Sequence, residues 1–147
     1  MVALLFLVLA VAAGTALPVQ AGINAELARW VGGPIRASAI SFAIGTVALL
    51  LVAVVATRGA QTRHLGGAPW WIWLGGAVGA FYVASVVAAA PRVGAVAVFA
   101  SVVAGQLLCS LVLDHFGSIG YDVHRISVGR VAGIACVGAG VALVRVF

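Results

Sequence analysis

Residues 2–27, VALLFLVLAVAAGTALPVQAGINAEL, decide how many times this chain crosses a membrane. The stretch is apolar as far as Leu17 and then carries Pro18, Gln20, Asn24 and Glu26 in quick succession. The run "VQA" before Gly22 has the small-residue character of a signal-peptidase site. A secretory leader opens with a basic region, however, and no Lys or Arg precedes Arg29. The stretch is therefore expected to remain as a first transmembrane helix, polar toward its end.

The rest of the sequence agrees with a membrane setting. Of the 147 residues 65% are hydrophobic and 7% charged, and the mean hydropathy is +1.26. Those values lie far outside the range of a water-soluble domain. The net charge of +5 comes from eight arginines and no lysine. They fall singly between apolar runs, without the basic patch and interleaved aromatics that a nucleic-acid interface needs, so phospholipid headgroups are the expected neighbours.

Five spans are expected, at about 2–27, 34–57, 69–90, 95–113 and 128–147, each near the ~20 residues that cross a hydrocarbon core of ~30 Å. Pro34 opens the second in the first turn, where its missing N–H matters least. Only "PRVG" separates the third from the fourth, which predicts a tight antiparallel hairpin. The longest polar connections are too short for a soluble core, so residues 1–147 are expected to form a single transmembrane domain. The fold class is an all-α integral membrane protein located in the cell membrane, by expectation a bacterial inner membrane.

No residue pattern points to catalysis. Ser118, His115 and Asp114 are neighbours in a connection, and no nucleophile elbow surrounds the serine. Cys109 and Cys136 have no metal-ligand spacing and read as small packing residues. No enzyme activity, cofactor or metal is expected. Trp70, Trp71 and Trp73 begin the third span, where indoles favour the membrane interface; Trp73, a turn deeper than Trp70, is a weaker candidate for a cavity wall. Gly75, Gly76 and Gly79, with Gly129 and Gly133, mark faces where helix backbones can approach closely.

Gln20 and Asn24 are four residues apart and share a helix face, and Pro18 frees the carbonyl of Gly14 just above them. Freed carbonyls beside two amides are tolerated at depth only against protein or a watery cavity. Gln106 lies about eight residues, or ~12 Å, from the end of the fourth span, and Tyr82 about twelve residues, or ~18 Å, into the third. With Ser41, Ser85 and Ser101, these residues point to a polar interior. Gln20, Asn24, Tyr82 and Gln106 are the expected solute-binding residues, and Pro18 is expected to kink the helix around them. The bland alternative gives the same side chains a purely structural task, as interhelical ties in a non-transporting accessory or scaffold subunit.

The strings "PVQAGINAEL", "PRVGAVAV", "GQLLCSLVLDHFG" and "GRVAGIACVGAGVALV", in this order and spacing, resemble the YdcZ-like, single-repeat branch of the drug/metabolite transporter superfamily. The resemblance covers nearly the whole chain and is strongest from Trp70 onward. It implies a five-helix unit equivalent to half of a ten-helix transporter, with two units meeting in inverted orientation to move a small solute. One departure matters. The four-helix small multidrug-resistance relatives carry a carboxylate near the middle of the first helix, where this chain has Gly14 and Thr15. Its acids are Glu26, Asp114 and Asp122, all at or beyond the ends of spans. An acid inside the membrane is the default proton or cation site. Its absence favours a neutral, polar or weakly anionic solute and leaves Glu26 and Asp114 as the candidates for coupling.

Five spans place the termini on opposite sides of the membrane. Arg58, Arg63, Arg125 and Arg130 then lie on one side, and Arg29, Arg36, Arg92 and Arg145 on the other. Such a chain has no bias from the positive-inside rule. It is expected to insert both ways and to pair with itself as an antiparallel homodimer.

Overall fold

The computed structural model describes residues 2–57 and 68–146. Among the described residues five α-helices follow one another: α1 (Val2–Val31), α2 (Pro34–Thr57), α3 (Leu74–Val93), α4 (Ala95–Phe116) and α5 (Val128–Val146). A short 3-10 turn, Trp70–Trp73, leads into α3, and another, Ser118–Gly120, follows α4. All five spans are long and apolar enough to cross a membrane. The connection 58–67, with Arg58, Arg63 and His64, lies outside the described residues, as does Phe147.

The chain folds as two compact units, Met1–Arg92 and Val93–Phe147. In the first, α1 continues four residues past Leu27 because nothing before Gly32 stops it. Gly32 adopts φ 82, and the N–H of Gly33 donates to the carbonyl of Ala28 at 2.8 Å. This is the six-to-one bond of a Schellman cap, which needs a left-handed residue that glycine supplies without strain. Pro34 follows at once with its φ already helical, and the N–H of Ala37 donates to the Gly33 carbonyl at 3.2 Å to start α2. Two glycines and a proline thus fold α2 back on α1, and the two helices pack together. Small side chains make the approach close: Ala21, Ala37 and Ser38 are all buried.

The interior of this unit is small. Besides those three residues, Asn24, Val86 and Val87 are buried. Leu4, Phe6, Leu50 and Val54 each expose 60% or more. Apolar surface on this scale is untenable in water and suits hydrocarbon or a partner helix. Trp70 and Trp73 are likewise exposed, as residues of an interfacial belt are.

In the second unit α4 opens after Gly94, whose φ of 95 breaks the helix within "PRVG" and whose carbonyl accepts the N–H of Val98 at 3.1 Å. Here α4 packs along α5. At the far end of α4, Gly117 takes a left-handed conformation and its N–H donates to the Leu113 carbonyl. A Cβ there would come within 2.6 Å of Val123, so both conformation and space demand glycine. The following connection is tied to the end of α4. The N–H of His124 donates to the Asp114 carbonyl at 2.7 Å, and that of Ile126 to His115 Nδ1 at 3.3 Å. Ser127 then caps α5 through its hydroxyl, which accepts from the N–H of Arg130 at 3.4 Å.

Candidate functional site

In the first unit, Gln20, Asn24 and Tyr82 line one gap. Its walls come from positions 17, 20, 21 and 24 of α1 and 82, 83, 86 and 87 of α3. Both sets repeat at three and four residues, so each helix offers one continuous face. The gap measures about 10 Å³, room for roughly one water.

Its three polar residues are in different states. Asn24 is 3% exposed, and its Nδ2 donates to Ser41 Oγ on α2 at 3.1 Å. The Tyr82 hydroxyl is buried and has no hydrogen-bond partner among the described residues. A buried hydroxyl left unpaired costs about 1–3 kcal/mol, so the phenol is held at the gap by what surrounds it rather than by a bond of its own. Gln20 is exposed and stands one turn before Asn24 on the same face. Pro18 lies inside α1, which is helical on both sides of it.

The fourth expected solute contact, Gln106, belongs to the second unit. It stands exposed on α4. Its helical neighbours Ser110 and Asp114 line a cleft between α4 and α5, of about 260 Å³, together with Arg130.

Both candidate coupling acids are ion-paired at helix ends. Glu26 accepts from Arg29 Nη1 at 2.8 Å, three residues along the last turns of α1, in an exposed pair. Such pairs contribute little to stability. Asp114 lies in the last turn of α4 and accepts from Arg130 Nη1 at 3.1 Å. The same Nη1 donates to the His124 carbonyl at 3.3 Å. Sequence reasoning used Arg130 only as a charge in the orientation count. Its pairing with Asp114 could have been suspected, since each stands close to the end of its helix at the same short connection.

Several hydroxyls are engaged within their own helices. Ser101 donates to the Ala97 carbonyl at 2.8 Å, Ser38 to Pro34 at 2.8 Å and Thr46 to Phe42 at 2.8 Å. Each returns to its own helix, a bond that needs no polar surroundings. Serines and threonines are therefore weak markers of a cavity in this chain. The amides and the phenol carry that signal, with Ser41 as the partner of Asn24.

A sequence model of the family described as "Putative inner membrane exporter, YdcZ" matches residues 5–143. No curated protein and no solved structure matches the chain significantly. The family match takes in all five helices, the gap beside Tyr82 and the Asp114–Arg130 pair. The chain thus belongs to the YdcZ family and is a membrane transporter that crosses the inner membrane several times.

Proposed function

We propose that this chain is one half of a small-solute exporter, in which two copies of the single domain 1–147 meet in opposite orientations and work by alternating access. Gln20, Asn24, Tyr82 and Gln106 contact the solute by hydrogen bonds and ring contact, and Pro18 shapes α1 around it. The observation that carries this reading is the buried, unpartnered Tyr82 hydroxyl at a gap it shares with Gln20 and Asn24. A gap the size of one water cannot enclose a solute. The site is therefore completed by a second copy, as expected of half a transporter.

The direction is outward, in keeping with the family description. The solute is neutral and polar or weakly anionic, because no acid lies in the middle of a span and the chain carries five positive charges in excess. Glu26 and Asp114 are the groups through which any proton coupling would act. Antiparallel pairing is supported by the even split of arginines. Arg92 is exposed and the Arg130 side chain is 39% exposed, so neither is hidden from the membrane surface.

One observation favours the second reading, an accessory or scaffold subunit. The Asn24 amide is already engaged by Ser41 and ties α1 to α2. Thermal unfolding of the purified protein against a broad metabolite panel separates the two. A solute that binds the native state raises its stability by mass action, by about 2.7 kcal/mol at a hundredfold excess over Kd. A Tyr82→Phe or Gln20→Ala variant should lose that shift. A panel of neutral and anionic metabolites without a single stabilising member would favour the scaffold.

A further inference from the structure

We propose that the cleft between α4 and α5 is a binding site for a zwitterionic phospholipid with a primary-amine headgroup. The cleft shares no lining residue with the Gln20–Tyr82 gap and stands whether or not that gap binds solute.

The cleft is polar at one end and apolar at the other. Asp114 is two residues before the end of α4 and Arg130 two residues after the start of α5, so both belong at the membrane surface. Leu107 lies seven residues, or ~10 Å, deeper along α4, and Ile134 four residues, or ~6 Å, deeper along α5. Together with Leu111 these side chains make the inner walls. A charged mouth above an apolar floor is the profile of an amphiphile lying along the helices.

The mouth carries both signs of charge with bonding capacity to spare. Asp114 uses Oδ2 for Arg130. Arg130 uses Nη1 for Asp114 and for the His124 carbonyl. Among the described residues, Asp114 Oδ1, Arg130 Nε and Nη2, and the Ser110 hydroxyl one turn deeper have no partner. A primary ammonium can donate to the carboxylate while the guanidinium fork takes phosphate oxygens, and Ser110 can donate to the same phosphate or the glycerol ester. A purely anionic headgroup would meet the carboxylate unfavourably. A quaternary ammonium has no N–H to give it.

The apolar inner wall of Leu107, Leu111 and Ile134 favours a lipid over a soluble zwitterion, which has nothing to place against it. The cleft measures about 260 Å³. It admits a headgroup and the first part of an acyl chain whose remainder stays in the bilayer.

Native mass spectrometry of the purified full-length protein tests this, after exchange into an equimolar mixture of phosphatidylethanolamine, phosphatidylglycerol and phosphatidylcholine with matched chains. The wild type should retain the ethanolamine lipid about tenfold over the other two. The double variant Asp114→Asn, Arg130→Gln should lose that preference. The exchanged variant Asp114→Arg, Arg130→Asp keeps the ion pair that supports the connection and should still bind one such lipid. Equal retention of the three lipids by the wild type, or a preference for phosphatidylglycerol, would overturn the proposal without recourse to any variant. So would displacement of the lipid by phosphoethanolamine at comparable concentration, which would make the cleft a site for a soluble zwitterion.

Discussion

Asn24 Nδ2 donates to Ser41 Oγ across 3.1 Å, joining α1 to α2 at positions equally far from the Gly32–Gly33 turn. The bond sits where the two readings of this protein divide, because the amide that ties the helices also lines the gap beside Tyr82. Interhelical bonds of this kind in membranes average ~0.6 kcal/mol and reach ~1.7. Ser41→Ala should therefore lower unfolding stability by about 1 kcal/mol and leave transport near wild type, whereas Asn24→Ala should lose a similar amount and most of the transport. Reconstituted flux and denaturant unfolding on both variants check this. Equal loss of flux in the two would make the bond, rather than the amide, the thing that matters.

The Tyr82 hydroxyl separates stability from function more sharply. Having no partner among the described residues, it adds nothing that its removal would take away. Tyr82→Phe should unfold at the same denaturant concentration as the wild type or slightly higher, by up to about 1 kcal/mol. Solute binding should fall about tenfold, the loss of one hydrogen bond to solute. Unchanged binding would remove Tyr82 from the site.

How far the sequence could be read depended on whether a feature was local. Span number follows from apolar run length, and the α1–α2 turn follows from Gly-Gly-Pro, since both act through neighbouring residues. The first span is expected to end at about Leu27, whereas α1 runs on to Val31. Polar residues do not end a helix; the stop is the left-handed Gly32, which follows Val31. Gln20 and Asn24 were legible as one face because a helix repeats at 3.6 residues. That Asn24 would find Ser41, and Asp114 would find Arg130, depends on which faces two helices turn toward each other. No short window of sequence carries that information.

Burial orders the accessibility of the two amides. In a background with Cys109 and Cys136 replaced, a cysteine at position 20 should react with a membrane-impermeant thiol reagent well before one at position 24, since Gln20 is exposed and Asn24 buried. Solute should slow labelling at 20. If neither position labels in the folded protein, both side chains serve packing.

Acid placement predicts the response to pH. Glu26 and Asp114 are paired with arginines at helix ends, and no other acid lies within a helix. A proton site in the middle of the bilayer is what usually links flux to pH. Flux into liposomes should therefore vary less than about twofold between pH 6 and pH 8, and Glu26→Gln should match the wild type across that range. A steep profile that Glu26→Gln flattens would show that Glu26 takes part in coupling.

Orientation gives the most demanding test, because it follows from where eight arginines fall. Arg58, Arg63, Arg125 and Arg130 oppose Arg29, Arg36, Arg92 and Arg145 across five spans. The positive-inside rule counts Lys and Arg near span ends whether or not they are paired, so the Asp114 bond to Arg130 does not remove that residue from the count. With four on each side, neither direction is favoured, and the chain should insert both ways in similar amounts. Two opposed copies can pair about an axis in the membrane plane and supply the inverted repeat that longer transporters carry in one chain. A topology reporter fused after Phe147 should then read out on both sides of the membrane. Two or three lysines added at the same place should drive the population to one orientation and reduce transport by at least half. Co-expression with a copy biased the other way should restore it. A reporter found on one side only, with full transport, would exclude the antiparallel homodimer and require a parallel assembly or a different partner chain.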